Sequence, residues 1–171
     1  MYFLGGQTVL KVFGIAGFKN VGKTTLVVDL IREFRSRELR VATIKHAHHD
    51  FDIDQPGKDS HQHRSAGATE VIVVSDQRWA QIRELDDDPE PSLGELLAQL
   101  RAVDVVLVEG YKHGTHSKLE LRRAGVNNPE LAGSDPAIKA VVSDYAIEGA
   151  GVPVLPRSDV ATIADFILAS A

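Results

Sequence analysis

Apolar and polar positions along this chain fall into blocks whose period switches between that of a buried strand and that of a helix. Val9 to Ala16 is an apolar run and predicts a buried strand. A glycine-bounded turn follows. Leu26, Val27, Leu30, Ile31 and Phe34 then recur at helical spacing, opposite Arg32, Glu33, Arg35 and Arg37, which predicts a helix over Thr24 to Arg37. Val41 to Ile44 predicts a second strand. His46 to Gly67 is polar and loop-like, with a helix expected from Lys58 to Ala66. Val71 to Val74 reads as a third strand and Trp79 to Glu84 as a fourth, before an acidic, proline-bearing loop from Asp86 to Pro91. Ser92 to Leu100 predicts a helix capped by Ser92, with Glu95 completing a capping box. Strands are expected at Val103 to Val108, Lys118 to Arg122, Ala137 to Val142 and Val152 to Leu155. The segment from Ala124 to Pro136 is rich in glycine, asparagine and proline and reads mostly as loop, and Val160 to Ala169 closes the chain as a helix.

Strands and helices alternate, and the runs at Val9, Val71, Val103 and Ala140 are apolar on both faces. That pattern predicts an α/β fold: a mostly parallel sheet flanked by helices. Gly5 and Gly6 break the chain early, so residues 1–8 are read as a disordered lead-in or cloning remnant. No linker divides the remainder, which leaves 9–171 as one nucleotide-binding domain on the motif described next.

Gly17-Phe18-Lys19-Asn20-Val21-Gly22-Lys23-Thr24 is a complete G-x-x-x-x-G-K-[ST] phosphate loop, set between an apolar strand and an amphipathic helix. Gly17 and Gly22 allow the backbone to curl so that successive N–H groups point at an anion. The helix that follows adds the positive end of its dipole. The Lys23 ammonium can bridge the outer two phosphates, the Thr24 hydroxyl can ligate Mg2+, and Thr25 can bond the innermost phosphate. The fold class is therefore that of a P-loop NTPase. Val103 to Val108 runs into Glu109, at the strand end where open α/β sheets bind ligands, so Glu109 is a candidate for the metal. Most phosphate-loop proteins have aspartate there.

Composition narrows the function little. The 171 residues are 43% hydrophobic and 25% charged, ordinary for a globular chain. A formal net charge of −5 argues against broad nucleic-acid binding but leaves room for a local basic pocket. No cysteine is present, which excludes disulfides and a thiolate zinc site. No apolar run approaches the roughly 20 residues that span a bilayer, so no membrane partner is expected and a cytoplasmic location is.

The stretch from Lys45 to Ser60, which contains His46, His48, His49, Asp50, Asp52, Asp54 and Asp59, leaves the same edge of the sheet. Three readings stay open on residue type. It can be a transition-metal site, a loop that serves nucleotide and Mg2+, or an exposed polar loop.

Taken together, GFKNVGKTTL, IKHAHHDFDIDQPGKDSHQHRSAGA, SDQRWA and VDVVLVEGYKH resemble the molybdopterin-guanine dinucleotide biosynthesis protein B (MobB) family, from about Val12 to Ala169. The resemblance implies a GTP-binding, weakly hydrolysing homodimer of the SIMIBI class. Its implied role is an adaptor beside a guanylyltransferase (MobA-like) that attaches GMP to molybdopterin, with molybdopterin itself a further candidate ligand. Carried over by position, Asn20, Val21, Gly22, Lys23, Thr24 and Thr25 would cradle the phosphates. Pro56, Gly57, Lys58 and Asp59 would line the nucleotide site, and Glu109 would serve the Mg2+. Tyr111, Lys112 and His113 match the family's turn after that strand. No N-K-x-D guanine signature occurs. Asp144, after a late strand, is the substitute for reading the guanine N–H and amino groups.

For hydrolysis, Asp52, Asp54 and Asp59 are candidates to position water, and Arg64 to reach the phosphates. No catalytic base or arginine finger stands out, so slow turnover is expected. A small-molecule kinase with 124–136 as a lid, a metallochaperone-type GTPase using the histidines, and a pure binding module are the alternatives.

Overall fold

The computed structural model describes residues 2–4, 8–47, 51–111 and 114–170. These form two compact units, one of residues 1–46 with 93–171 and a smaller one of residues 47–92.

The larger unit is built on β2 (Thr8–Ala16). On one face of β2, Phe13 and Ile15 are buried; on the other, Leu10 and Val12. A strand apolar on both faces must be covered twice, and this one is. Phe13 and Ile15 join a cluster with Leu26, Leu30 and Phe34 of α1 (Lys23–Ser36) and Ile163, Ala164 and Ile167 of α4 (Val160–Ser170). Leu10 and Val12 join Leu97 of α3 (Leu93–Gln99). β6 (Val105–Glu109) divides in the same way, with Val105 and Leu107 toward the first cluster and Val106 and Val108 toward the second.

With β3 (Val41–Lys45), β7 (Lys118–Arg122), β8 (Ile138–Ser143) and β9 (Val154–Pro156), these strands make a sheet of order β3-β6-β2-β7-β8-β9. Every neighbouring pair along that path is parallel. The expected architecture is the observed one, and it puts all six carboxyl ends on one edge. The chain leaves β2 through α1 toward β3 on one side, while β7 lies on the other, so a crevice opens at the end of β2.

Two expectations need correction. Tyr2–Leu4, placed in a disordered lead-in, forms β1, which pairs antiparallel with Thr8 to Leu10 of β2. The first three residues of β2 precede its pairing with β6 and β7, so their backbone groups are available to β1. The run at Val71 is not a strand of the parallel sheet. In the smaller unit β4 (Glu70–Val74) pairs antiparallel with β5 (Trp79–Arg83) through a turn at Ser75 to Arg78. Only Val71 of that run is buried, because the hairpin belongs to a two-stranded sheet rather than to a layered core. The same unit holds α2 (Asp59–Ser65).

Candidate functional site

The loop after β2 is curled by three residues with positive φ: Gly17 at 139°, Asn20 at 68° and Gly22 at 92°. A Cβ on Gly17 would lie 2.8 Å from the Leu121 carbonyl oxygen and 3.0 Å from Val21 Cγ2, so only glycine fits against β7 there. Val21 is buried in the core and anchors the far side of the curl. Gly22 is the N-cap of α1 in the left-handed region and offers no side-chain acceptor; the first turn of the helix also holds no acidic residue. The N–H groups at the start of α1 therefore lack a side-chain cap, the arrangement that favours an anion. Lys23 Nζ donates to the Phe18 carbonyl oxygen at 2.7 Å, which holds the ammonium over its own loop.

Thr24 and Glu109, predicted separately as metal ligands, face each other. The Thr24 hydroxyl donates to Glu109 Oε1 at 3.5 Å. A hydroxyl and a carboxylate are hard oxygen donors of the kind Mg2+ takes when it keeps several waters, so the donor set fits that ion. Glu109 is held at its place by tight packing at the end of β6. The His46 N–H donates to the Glu109 carbonyl oxygen at 2.8 Å, and a Cβ on Gly110, at φ 101°, would meet His46 Cβ at 2.7 Å. The His46 and Tyr111 rings pack with centroids 4.8 Å apart. Lys112 and His113 lie outside the described residues.

Beside the loop is a cleft of about 340 Å³, lined by Val21, Gly22 and Thr25 and by Arg122, Arg123, Asp144 and Arg157. Asp144 is exposed, and its Oδ1 accepts the Ala124 N–H at 2.7 Å. The three arginines were not picked out by sequence reasoning. The available signal was position: Arg122 ends β7, Arg123 follows it and Arg157 directly follows β9, all at the carboxyl edge. Arg122 is paired with Glu120 and Glu130. Its guanidinium is held above the usual arginine value, first by the hydrogen bond it donates to Glu120 and against the pull of burial.

Asp52, Asp54, Pro56, Gly57, Lys58, Asp59 and Arg64 belong to the smaller unit. There Arg64 clamps three carboxylates: Nη2 to Asp52 at 2.9 Å, Nε to Asp54 at 3.3 Å and Nη1 to Glu84 at 2.5 Å. The Ser60 hydroxyl donates to Asp54 at 2.7 Å and is the leading reason this carboxyl lies below its ordinary range. His48, His49 and Asp50 lie outside the described residues, and among the described residues no group of three or more histidine, aspartate or glutamate side chains is arranged to hold a metal ion. The segment 124–136, weighed as a lid, is fastened to β7: Glu120 accepts the N–H groups of Leu131 and Ala132 at 3.0 and 2.8 Å, and Lys118 pairs with Asp135 at 2.7 Å.

The family model for molybdopterin guanine dinucleotide synthesis protein B matches residues 12–144. The molybdopterin-guanine dinucleotide biosynthesis adapter protein of Escherichia coli (strain K12) is 39% identical over 96% of this chain and 95% of its own. The one from Haemophilus influenzae is 38% identical, over 96% of this chain and 90% of its own. Among solved structures, a crystal structure of molybdopterin-guanine biosynthesis protein B superposes with a TM-score of 0.71 at 28% identity, covering 92% of this chain and 98% of that one. On a sheet of this order, with this loop after its central strand and agreement over nearly its full length, the chain belongs to the MobB family.

Proposed function

We propose that this protein binds GTP with Mg2+ and acts as an adapter in forming molybdopterin guanine dinucleotide, beside the guanylyltransferase that attaches GMP to molybdopterin. The observation that carries the nucleotide part is the start of α1 without a side-chain cap, at the end of a curl held by Gly17 and Gly22 and opposite Thr24 and Glu109. The adapter part rests on family membership and on the names of the relatives.

In this reading backbone N–H groups from Asn20 to Thr25 hold the phosphates, and Lys23 turns from the Phe18 carbonyl toward the outer two. Thr24 and Glu109 hold the Mg2+, which screens the charge of the phosphate tail. Asp144 accepts from the guanine N–H and amino groups. Pro56, Gly57, Lys58 and Asp59, in the smaller unit, keep the nucleotide-binding role that the family resemblance implies for them. Asp52, Asp54 and Arg64 are the candidates for hydrolysis, yet the charge of Arg64 is more than neutralised by three carboxylates of its own unit. An arginine so neutralised adds no net charge to a phosphoryl transition state, so turnover is expected on the order of 10⁻³ per second or slower. The chain pairs with a second copy, a reading supported by the exposed apolar residues of the β4–β5 hairpin. Among the described residues no helix is long and apolar enough to cross a membrane; the cytoplasm is the location this reading assigns.

Calorimetry with GTP and ATP in the presence of Mg2+ tests this. GTP is expected to bind more tightly than ATP, and Lys23→Ala to lower GTP affinity by about 100-fold, the loss of a charge-assisted contact to two phosphates. Unchanged affinity in that variant refutes the site.

A further inference from the structure

The cleft beside the phosphate loop continues past the ends of β8 and β9. A second cleft, of about 580 Å³, is lined there by Ser143, Tyr145, Val154, Pro156 and Ser158 among others. Asp144 and Arg157 are the two residues that line both clefts. They follow adjacent parallel strands and are tied together by the backbone, the Arg157 N–H donating to the Ser143 carbonyl oxygen at 2.8 Å. Both side chains are held before any ligand arrives. Asp144 Oδ1 accepts the Ala124 N–H at 2.7 Å, and Arg157 Nη2 donates to Asp29 Oδ2 of α1 at 2.7 Å. The Arg157 side chain keeps 22% of its surface exposed, so part of its donor fork is reachable.

We propose that Arg157 is the second reader of the base, donating to the guanine O6 edge while Asp144 accepts from N1–H and the 2-amino group. This rests on the GTP reading above and adds a specificity residue to it. The chemistry is one of matched polarity. An ionised carboxylate only accepts and a guanidinium only donates. Guanine presents two donors and an acceptor along one edge. Adenine presents an acceptor at N1 and a donor at its 6-amino group, so it would set an acceptor against Asp144 and a donor against Arg157. Arginine on guanine O6 and N7 is a common specific pairing for the same reason. Asp29 is then a positioning residue: it lies on the helix that opens at the phosphate loop and holds the guanidinium at the base.

The test is calorimetry of the full chain with Mg2+ and four triphosphates: GTP, ATP, ITP, which lacks the 2-amino group, and 6-thio-GTP, which keeps N1–H and the 2-amino group but replaces O6 with a poor acceptor. The unsubstituted protein is expected to prefer GTP over 6-thio-GTP by about tenfold or more. In Arg157→Ala that preference should vanish, while the preference for GTP over ITP, which belongs to Asp144, should persist. Arg157→Met keeps the packing of the stem and should give the same ranking, which covers an alanine variant that folds poorly. Equal weakening of all four ligands in Arg157→Ala would assign the residue to phosphate or to structure and overturn the proposal, as would an undiminished preference for O6. If the unsubstituted protein binds GTP and ATP alike, it is the guanine reading itself that fails.

Discussion

At the scale of single residues, the two glycines of the phosphate loop serve different needs. Gly17 faces a backbone oxygen at 2.8 Å where a Cβ would sit, whereas a Cβ on Gly22 would meet nothing within 4 Å. Gly17→Ala therefore has to displace β7 or uncurl the loop, and is expected to cost about 3 kcal/mol and most GTP affinity. Gly22→Ala carries only the penalty of its positive φ, about 1 kcal/mol. Urea unfolding of the two variants checks the ranking. His116 offers a second case. Its ring nitrogens are buried without a hydrogen-bond partner. Burial first, and then the Lys118 ammonium, lower its pKa below the ordinary value, with Asp135 opposing. The unfolded chain thus binds a proton near pH 6.5 where the folded one does not, so stability is full above that pH and falls as pH drops through it. His116→Phe loses no hydrogen bond and should flatten the change in urea midpoint between pH 7.5 and 5.5. An unaltered slope would remove His116 as its source. The loop was legible in the sequence because its chemistry is contiguous. Arg122, Arg123 and Arg157 were not, because only the parallel register of β7, β8 and β9 brings them to one cleft.

At the scale of elements, hydrophobic period read well wherever a strand is buried on both sides or a helix on one, as in β2, β6 and α1. At β7 it placed the strand correctly but did not reveal its polar burial. Lys118-Leu119-Glu120-Leu121-Arg122 alternates as a half-wet strand does, yet Lys118 and Glu120 are buried. The segment 124–136 covers them, supplying Asp135 to Lys118 and two N–H groups to Glu120. Burial is the largest influence on the Asp135 carboxyl and raises it, but the hydrogen bond from Lys118, the Ala137 N–H and the charges of Lys118 and His116 together outweigh it and leave the group below its usual range. Lys118→Ala leaves that carboxylate without its cation. Asp135 keeps some contact with water, so the expected loss is about 2–3 kcal/mol, at or below the low end for breaking a buried pair. Hydrogen exchange should locate the loosening in 124–136. Exchange unchanged there would mean that other contacts hold the segment. The apolar run of β4 misled for a related reason: four consecutive apolar residues do not say whether a sheet continues on both sides.

At the scale of the whole molecule, that hairpin raises the question of what covers it. Ile72 and Val74 share one face of β4, and Trp79 stands directly across from Val74 on β5. They are 62%, 74% and 58% exposed. Exposed apolar side chains grouped this way mark a contact surface more often than isolated ones do. A second copy of the chain presents the same face, and two identical apolar faces can meet about a two-fold axis without any further partner. The homodimer reading therefore predicts about twice the chain mass by sedimentation at tens of micromolar. Charge should break it selectively. Ile72→Asp with Val74→Asp would bring four carboxylates, two per chain, into the contact, a desolvation cost that no pairing offsets. The double variant should sediment as a monomer while its far-ultraviolet spectrum stays that of the folded chain. If the unsubstituted protein is already monomeric at that concentration, the face serves a different partner and the homodimer reading falls. A charged variant that remains dimeric would place the contact elsewhere on the chain.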